Sequence, residues 1–353
     1  MLTDQSKVSP HSDGPQAPRS SPERSVCAVT VTHGDRQHLI RPVLHALLKE
    51  PAVWKIVVVS NAAQWNVQAL ASELGPERIE LIEFPTNRGS SAAYAAGIKR
   101  ACELRTELIW LLDDDNKAQD GALPELLRQH ARLCNDSPKD KLLVLGYRPT
   151  LLDDVAGGWN IERRPSSFFG FHVADVPYKL WRRTPWGRPG RLATLLPVVK
   201  IPNGPFGGLL FHRAVIETNG LPREDFVIYS DDTEFTYRIT RNGGTLVLVT
   251  AARVADLEGS WHHPERSFWG SFVNWLEGAS DSRMFYGARN RAYLDSHDFP
   301  HGRLMFWINR KIYCCVLRFL AQVFRRTSRY RVLQKGIKDG LEGRLGMRAE
   351  YPL

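Results

Sequence analysis

Two rhythms of apolar and polar positions alternate along the first 150 residues. Short apolar-rich runs, VCAVTVT from Val26, WKIVVVS over 54–60, RIELIEF and ELIWLL over 107–112, are bounded by polar turns. Runs of this length, rich in β-branched residues, read as buried strands. Between them, HLIRPVLHALLKE, residues 64–74, SSAAYAAGIKRACEL and LPELLRQHARL read as helices, the first from Leu and Val recurring every three or four positions. Strand and helix alternate about every 25 residues. Continuously apolar strands joined by helices predict a mostly parallel sheet covered on both faces, with ligands beyond the carboxyl ends of its strands. HGDR, SNAA, TNRGSS and DDDN all fall at such ends.

The pattern changes over 150–200, where Trp159, Phe168, Phe169, Phe171, Trp181 and Trp186 stand among Gly, Pro and Arg. This stretch reads as an irregular insertion with an amphipathic hairpin. NGPFGGLLFHRAVIETNG then predicts a strand and a helix, and YSDDTEFTYRITRNGG a helix from Ser230 to the glycines. TLVLVTAARVADLE reads as a strand pair. In RLMFWINRKIYCCVLRFLAQVFRR, apolar residues at 304, 308, 312, 315, 316, 319, 320 and 323 share a helical face, with Arg310, Lys311, Arg318 and Arg325 on the other. Such a helix suits an anionic membrane interface over 304–331, and equally packing on the main domain or a dimer seam.

Composition narrows the picture. Of 353 residues, 43% are hydrophobic and 24% charged, which excludes whole-chain disorder. No long uncharged apolar stretch predicts a spanning helix. The net charge of +9 sits entirely in residues 299–353, which hold twelve Lys and Arg against three Asp and Glu. Positive charge on an apolar-faced helix, rather than on the α/β domain, argues against a nucleic-acid partner. Five cysteines without paired spacing indicate neither a disulfide framework nor a zinc cluster. Residues 1–24 lack an apolar core and read as a disordered segment rather than a secretory signal.

Three adjacent carboxylates, Asp113, Asp114 and Asp115, end an apolar strand. They repel one another, and a divalent cation such as Mg²⁺ or Mn²⁺ relieves that repulsion. Alternate strand residues point the same way, so Asp113 and Asp115 can reach one ion; a solvated acidic turn is the plainer reading. Asp231 and Asp232, with Glu234, open a predicted helix. Capping accounts for one of the aspartates, and the other is a candidate general base. Asn87, Arg88 and Gly89 precede small residues at a helix start, where free N–H groups attract anions. Asp256 or His262 can complete a metal shell, while Trp261 offers a stacking face for a sugar.

Taken in order, VTVTHGDR, WKIVVVSNAA, TNRGSSAAYAAGI, LIWLLDDDN, NGPFGGLLF, YSDDTEFTYRI and MFYGARNRAYL resemble inverting family 2 glycosyltransferases of the GT-A fold, most similarly the galactofuranosyl- and rhamnosyltransferase branch. The resemblance covers about residues 26–295. It implies an α/β GT-A domain over 25–297, with the 150–200 insertion on the acceptor side and a basic helical tail over 298–353. It implies a Mn²⁺- or Mg²⁺-dependent enzyme moving a sugar from a UDP-galactofuranose or dTDP-rhamnose type donor to a cell-surface polysaccharide or lipid-linked glycan, at the inner face of the plasma membrane. Asp113 and Asp115 would hold the ion, and Asp232, beside Asp231, would be the base. Thr32, Asp35, Arg36, Asn61, Asn87, Arg88, Gly89 and Asp114 would line the donor site, Glu258 and Trp261 the acceptor side. Arg289 and Asn290 match a pair common in the helix after the catalytic domain. Ser60 stands where relatives often carry a base-contacting Asp, and Asp256 near the place of a metal-binding His. Two other classes stay open: a nucleotidyltransferase and a silent sugar- or nucleotide-binding module. Self-association is compatible with all three.

Overall fold

A computed structural model describes residues 26–149, 151–159, 163–181, 184, 195–258, 270–277 and 280–353. Its first half follows the predicted alternation. Strand β1 (Val26–Gly34) leads to helix α1 (Gln37–Lys49), then β2 (Val53–Ala63), α2 (Val67–Leu74), β3 (Ile79–Phe84), α3 (Ser90–Glu103) and β4 (Leu108–Asp113). A short β5 (Asn116–Ala118), α4 (Ala122–Leu133) and β6 (Leu142–Tyr147) come next. Strand β6, which the sequence analysis does not assign, is wholly buried.

The second half is less regular. It contains α5 (Asp153–Ala156), α6 (Val176–Trp181), β7 (Val198–Ile201), β8 (Leu209–His212), α7 (Ala214–Asn219), α8 (Asp231–Arg241) and β9 (Thr245–Asp256). Helices α9 (Gly270–Glu277), α10 (Asp281–Tyr293), α11 (Arg303–Val323) and α12 (Thr327–Leu341) follow. The expected strand pair over 245–258 is one twelve-residue strand, β9, whose pairing with β6 shifts register at Gly146 and Tyr147. The described part of the insertion forms short helices and a two-residue bridge, Phe168 with Phe171, in place of a hairpin. Residues 1–24 and Trp186 lie outside the described residues.

The nine-stranded sheet has the order β3-β2-β1-β4-β8-β6-β9-β5, with β7 also on β9. Strands β1, β2, β3, β4, β6 and β9 share one direction, while β5, β7 and β8 oppose it. Alternate residues of the central strands feed two separate cores. Val58, Trp110 and Val144 join α1 and α4 on one face; Val59, Ile109 and Leu145 meet α3 and α8 on the other. That two-sided burial is why these strands lack polar alternation.

A third core gathers Phe168, Met284, Tyr313, Leu317 and Leu333 from the insertion, α10, α11 and α12. Helix α12 packs on α10 at backbone distance: a Cβ at Gly340 would lie 2.0 Å from the Arg289 carbonyl oxygen. Helix α11 buries Phe306, Asn309, Tyr313, Leu317, Leu320 and Ala321. Of the apolar face expected from the sequence, only Leu320 is buried; Leu304, Phe319 and Val323 point outward. Among the described residues, no helix is long and apolar enough to cross a membrane.

Candidate active site

Strand β4 is buried through Leu112 and delivers Asp113, Asp114 and Asp115 at its carboxyl end. Arg36, just after β1, clamps this trio. Its Nε donates to both oxygens of Asp114 at 2.9 and 3.0 Å, and its other nitrogens to Asp115 at 3.1 Å and Glu258 at 2.6 Å. Burial still pushes Asp114 up to about 7, with Arg36 pulling the other way. Burial, then the charge of Asp113, pushes Asp115 up to about 6. Asp113 accepts from the buried Tyr94 hydroxyl at 2.5 Å. A second guanidinium, Arg148, follows β6; it lies 3.6 Å from Asp113 and donates to Asp256 at 2.8 Å. Asn116 Nδ2 bridges Asp115 and Asp256 at 2.8 and 2.9 Å.

The second acidic pair is held by backbone shape. Val227, Tyr229 and Ser230 all have left-handed φ, 68°, 68° and 61°, immediately before Asp231. Three such non-glycine residues in four positions are strained and persist only when the surroundings fix them. Asn290 does so: its Nδ2 donates to the carbonyls of Phe226, Ile228 and Tyr229 at 2.7, 2.8 and 2.8 Å. Arg289 adds bonds to the Asp225 and Phe226 carbonyls at 3.0 and 2.8 Å, and both side chains are fully buried. Ser230 therefore does not cap α8 with its side chain, contrary to the sequence reading, because its backbone belongs to this turn.

Loop 86–89 braces the same segment from the other side. Gly89, at φ 86°, lies so close that a Cβ would sit 1.9 Å from the Val227 carbonyl oxygen. Ser90 Oγ donates to Asp231 at 3.1 Å. Asp232 is half-buried and accepts from the Thr233 N–H at 2.6 Å. Burial and the neighbouring Asp232 raise Asp231; burial raises Asp232, the Thr233 N–H opposes, and Asp113 raises it further.

Both acidic groups line one cavity of about 840 Å³, a size suited to a small-molecule site. Arg36, Glu258, Asp113, Asp114, Asp115, Asp231 and Asp232 all border it. Other expected donor residues do not. Asp35 and Arg88 are exposed, and Arg88 stacks over Phe84 at 4.7 Å. Thr32 is fully buried. Asn61 and Asn87 spend their amides on the 87–89 loop: Asn61 donates to Asn87 at 2.9 Å and accepts from the Arg88 N–H at 2.8 Å. Trp261 and His262 lie outside the described residues. Sequence reasoning missed His33, Tyr94, Arg148, Arg163 and Arg283, which also line the cavity. His33 sits in the quoted HGDR loop; burial, then Arg36 and Arg283, lower it to about 4, so it is neutral. Arg148 follows the apolar run over 142–147, whose reading as a strand would have exposed it.

The donor set suits a hard cation. Asp113 and Asp115 present oxygens to the cavity, and beside them the buried Asn116 side-chain oxygen has no hydrogen-bond partner among the described residues. Among those residues, no three His, Cys, Asp or Glu side chains form a ready cluster, since Arg36 and Arg148 stand between the carboxylates.

Residues 27–142 match the model of glycosyl transferase family 2. Over this third of the chain the sequence is similar to family 2 glycosyltransferases. The galactofuranosyltransferase GlfT1 of Mycolicibacterium smegmatis is 22% identical over 269 residues, which cover 76% of this chain and 82% of that protein. Among solved structures, GalNAc-T7 with UDP, GalNAc and Mn²⁺ aligns at TM-score 0.48 and 14% identity, covering 82% of this chain and 57% of that one. S. aureus TarS 1–349 in complex with UDP-GlcNAc aligns at TM-score 0.45 and 12% identity, covering 91% and 83% of the two chains. The α/β sheet and C-terminal helices of this glycosyltransferase are the GT-A arrangement implied by the sequence.

Proposed function

We propose that this glycosyltransferase moves one sugar from a nucleotide-sugar donor to an acceptor hydroxyl by single displacement with inversion, and that Asp232 is the general base. The observation that carries this reading is the shared cavity: Asp232 faces the same space as Asp113 and Asp115. Asp232 takes the proton of the acceptor hydroxyl as its oxygen forms a bond to the anomeric carbon, and the bond to the diphosphate breaks on the opposite face. Burial and the charge of Asp113 raise the basicity of Asp232, which favours proton uptake. Tyr94 and Arg148 orient Asp113, and Arg36 orients Asp114 and Asp115.

A divalent cation, Mn²⁺ or Mg²⁺, would be held by Asp113 and Asp115, with Asp256 or His262 as a third ligand; it would neutralise charge on the leaving diphosphate. Similarity to a galactofuranosyltransferase supports a UDP-galactofuranose type donor ahead of a dTDP-rhamnose type. The acceptor is a cell-surface polysaccharide or lipid-linked glycan. Residues 25–297 are taken as the transferase domain, with Arg163 of the insertion bordering the cavity on the acceptor side. Incubation with UDP- and dTDP-sugars and Mn²⁺ or Mg²⁺, with the anomeric configuration of the product read by NMR, tests this. Metal-dependent turnover with inverted configuration is expected; retained configuration, or no turnover of any donor, contradicts it.

A further inference from the structure

Helix α11 has two apolar faces, and the fold covers one. Opposite the buried face, Leu304, Phe319 and Val323 are 72%, 61% and 56% exposed. Ile308, Ile312 and Cys315 fill the intervals, so the six positions advance by four, four, three, four and four residues. That spacing keeps them on one stripe. The helix is 21 residues long, about 31 Å at 1.5 Å per residue. Beside it, Val173 N donates to Asn309 at 2.9 Å, tethering the segment that leads into α6, where Tyr178, Leu180 and Trp181 are also exposed.

Charge identifies what this face meets. No acidic residue occurs between Asp298 and Asp339, while α11 and the turn after it carry Arg303, Arg310, Lys311, Arg318, Arg325 and Arg326. Lys311 and Arg318 are seven residues apart and so lie along one edge of the stripe, and Arg325 and Arg326 follow just past the helix end. Among the described residues, ion pairs of this segment fall later, at Arg329 with Asp281 and Lys335 with Glu350. A second copy of the chain would bring the same unmatched positive row against this one. An anionic bilayer supplies both things the face lacks: an apolar layer for the stripe and phosphates for the cations.

We propose that the outward face of α11 docks the protein flat on a membrane containing anionic lipid. The stripe enters the boundary between headgroups and acyl chains, and Lys311, Arg318 and Arg325 lie at the lipid phosphates. The catalytic domain, packed on the opposite side of the helix, stays in water.

Flotation of the full-length protein with phosphatidylcholine vesicles, and with phosphatidylcholine–phosphatidylglycerol vesicles, tests this without donor or acceptor. Its failure would therefore leave the transfer reading intact. Binding is expected to the anionic vesicles only, and to weaken with salt. The variants Phe319→Ser/Val323→Ser and Lys311→Gln/Arg318→Gln/Arg325→Gln are each expected to reduce partitioning at least about tenfold, with an unchanged circular-dichroism melt. Wild-type protein that stays unbound with anionic vesicles, or variants that bind as well as wild type, would overturn the proposal. So would a dimer in light scattering that Phe319→Ser/Val323→Ser converts to monomer, since the face would then belong to a second copy.

Discussion

The two acidic groups of the cavity are stabilised by opposite means. Asp113, Asp114 and Asp115 sit at the end of a regular buried strand, and two guanidiniums, Arg36 and Arg148, offset their charge. Asp231 and Asp232 follow three left-handed residues, and the main support there is conformational, from Asn290, Arg289 and the close approach of Gly89. The contrast teaches that the first group is vulnerable to changes of charge nearby. The second is vulnerable to changes at Arg289 and Asn290, which do not themselves line the cavity.

The largest effect expected away from the carboxylates themselves is at Asn290. Asn290→Ala removes an amide whose two N–H hydrogens are shared among three carbonyls before the base, and should lower stability by about 2 kcal/mol in denaturant unfolding. Its residual activity should be lost in kcat more than in donor binding. Gly89→Ala comes next. A Cβ 1.9 Å from the Val227 carbonyl oxygen at φ 86° should displace the loop and cost about 2 kcal/mol, and it should perturb Asp231 more than Asp114. Arg36→Gln tests the other side. Removing the partner of a buried carboxylate should cost about 2 kcal/mol, and Asp114→Asn in the same chain should recover part of it in a double-mutant cycle. The smallest effect is in pH dependence. Because burial raises Asp232, transfer should fall on acidification well before the ordinary aspartate pKa of about 3.9, and a rate flat to that point would count against the base assignment.

The contrast also explains what could be read from sequence. Strands β1, β2 and β4 follow from the sequence because burial on both faces leaves an unbroken apolar pattern, while edge strand β3 keeps Glu80 and Glu83 among its apolar residues. Asp113 and Asp115 were legible as a charged run at a strand end, and Asp231 and Asp232 as a charged helix start. Arg148 was not, because it follows β6, an apolar run that the sequence analysis does not assign as a strand. Asn61, Asn87 and Arg88 looked like ligand contacts because they follow strands. In this structure their amides and guanidinium meet loop backbone and Phe84, and none of the three borders the cavity. In α11 periodicity found a real stripe, yet only the packed structure distinguishes the face held by Tyr313 and Leu317 from the one left outside.

The division of labour between the two groups is tested most directly by donor binding and transfer measured side by side on Asp232→Asn and Asp113→Asn. Asp232→Asn should lower kcat about 1,000-fold, the effect of losing a general base, while changing the donor Kd less than about threefold. Asp113→Asn should weaken metal-dependent donor binding itself. Donor binding lost in Asp232→Asn but retained in Asp113→Asn would contradict the assignment.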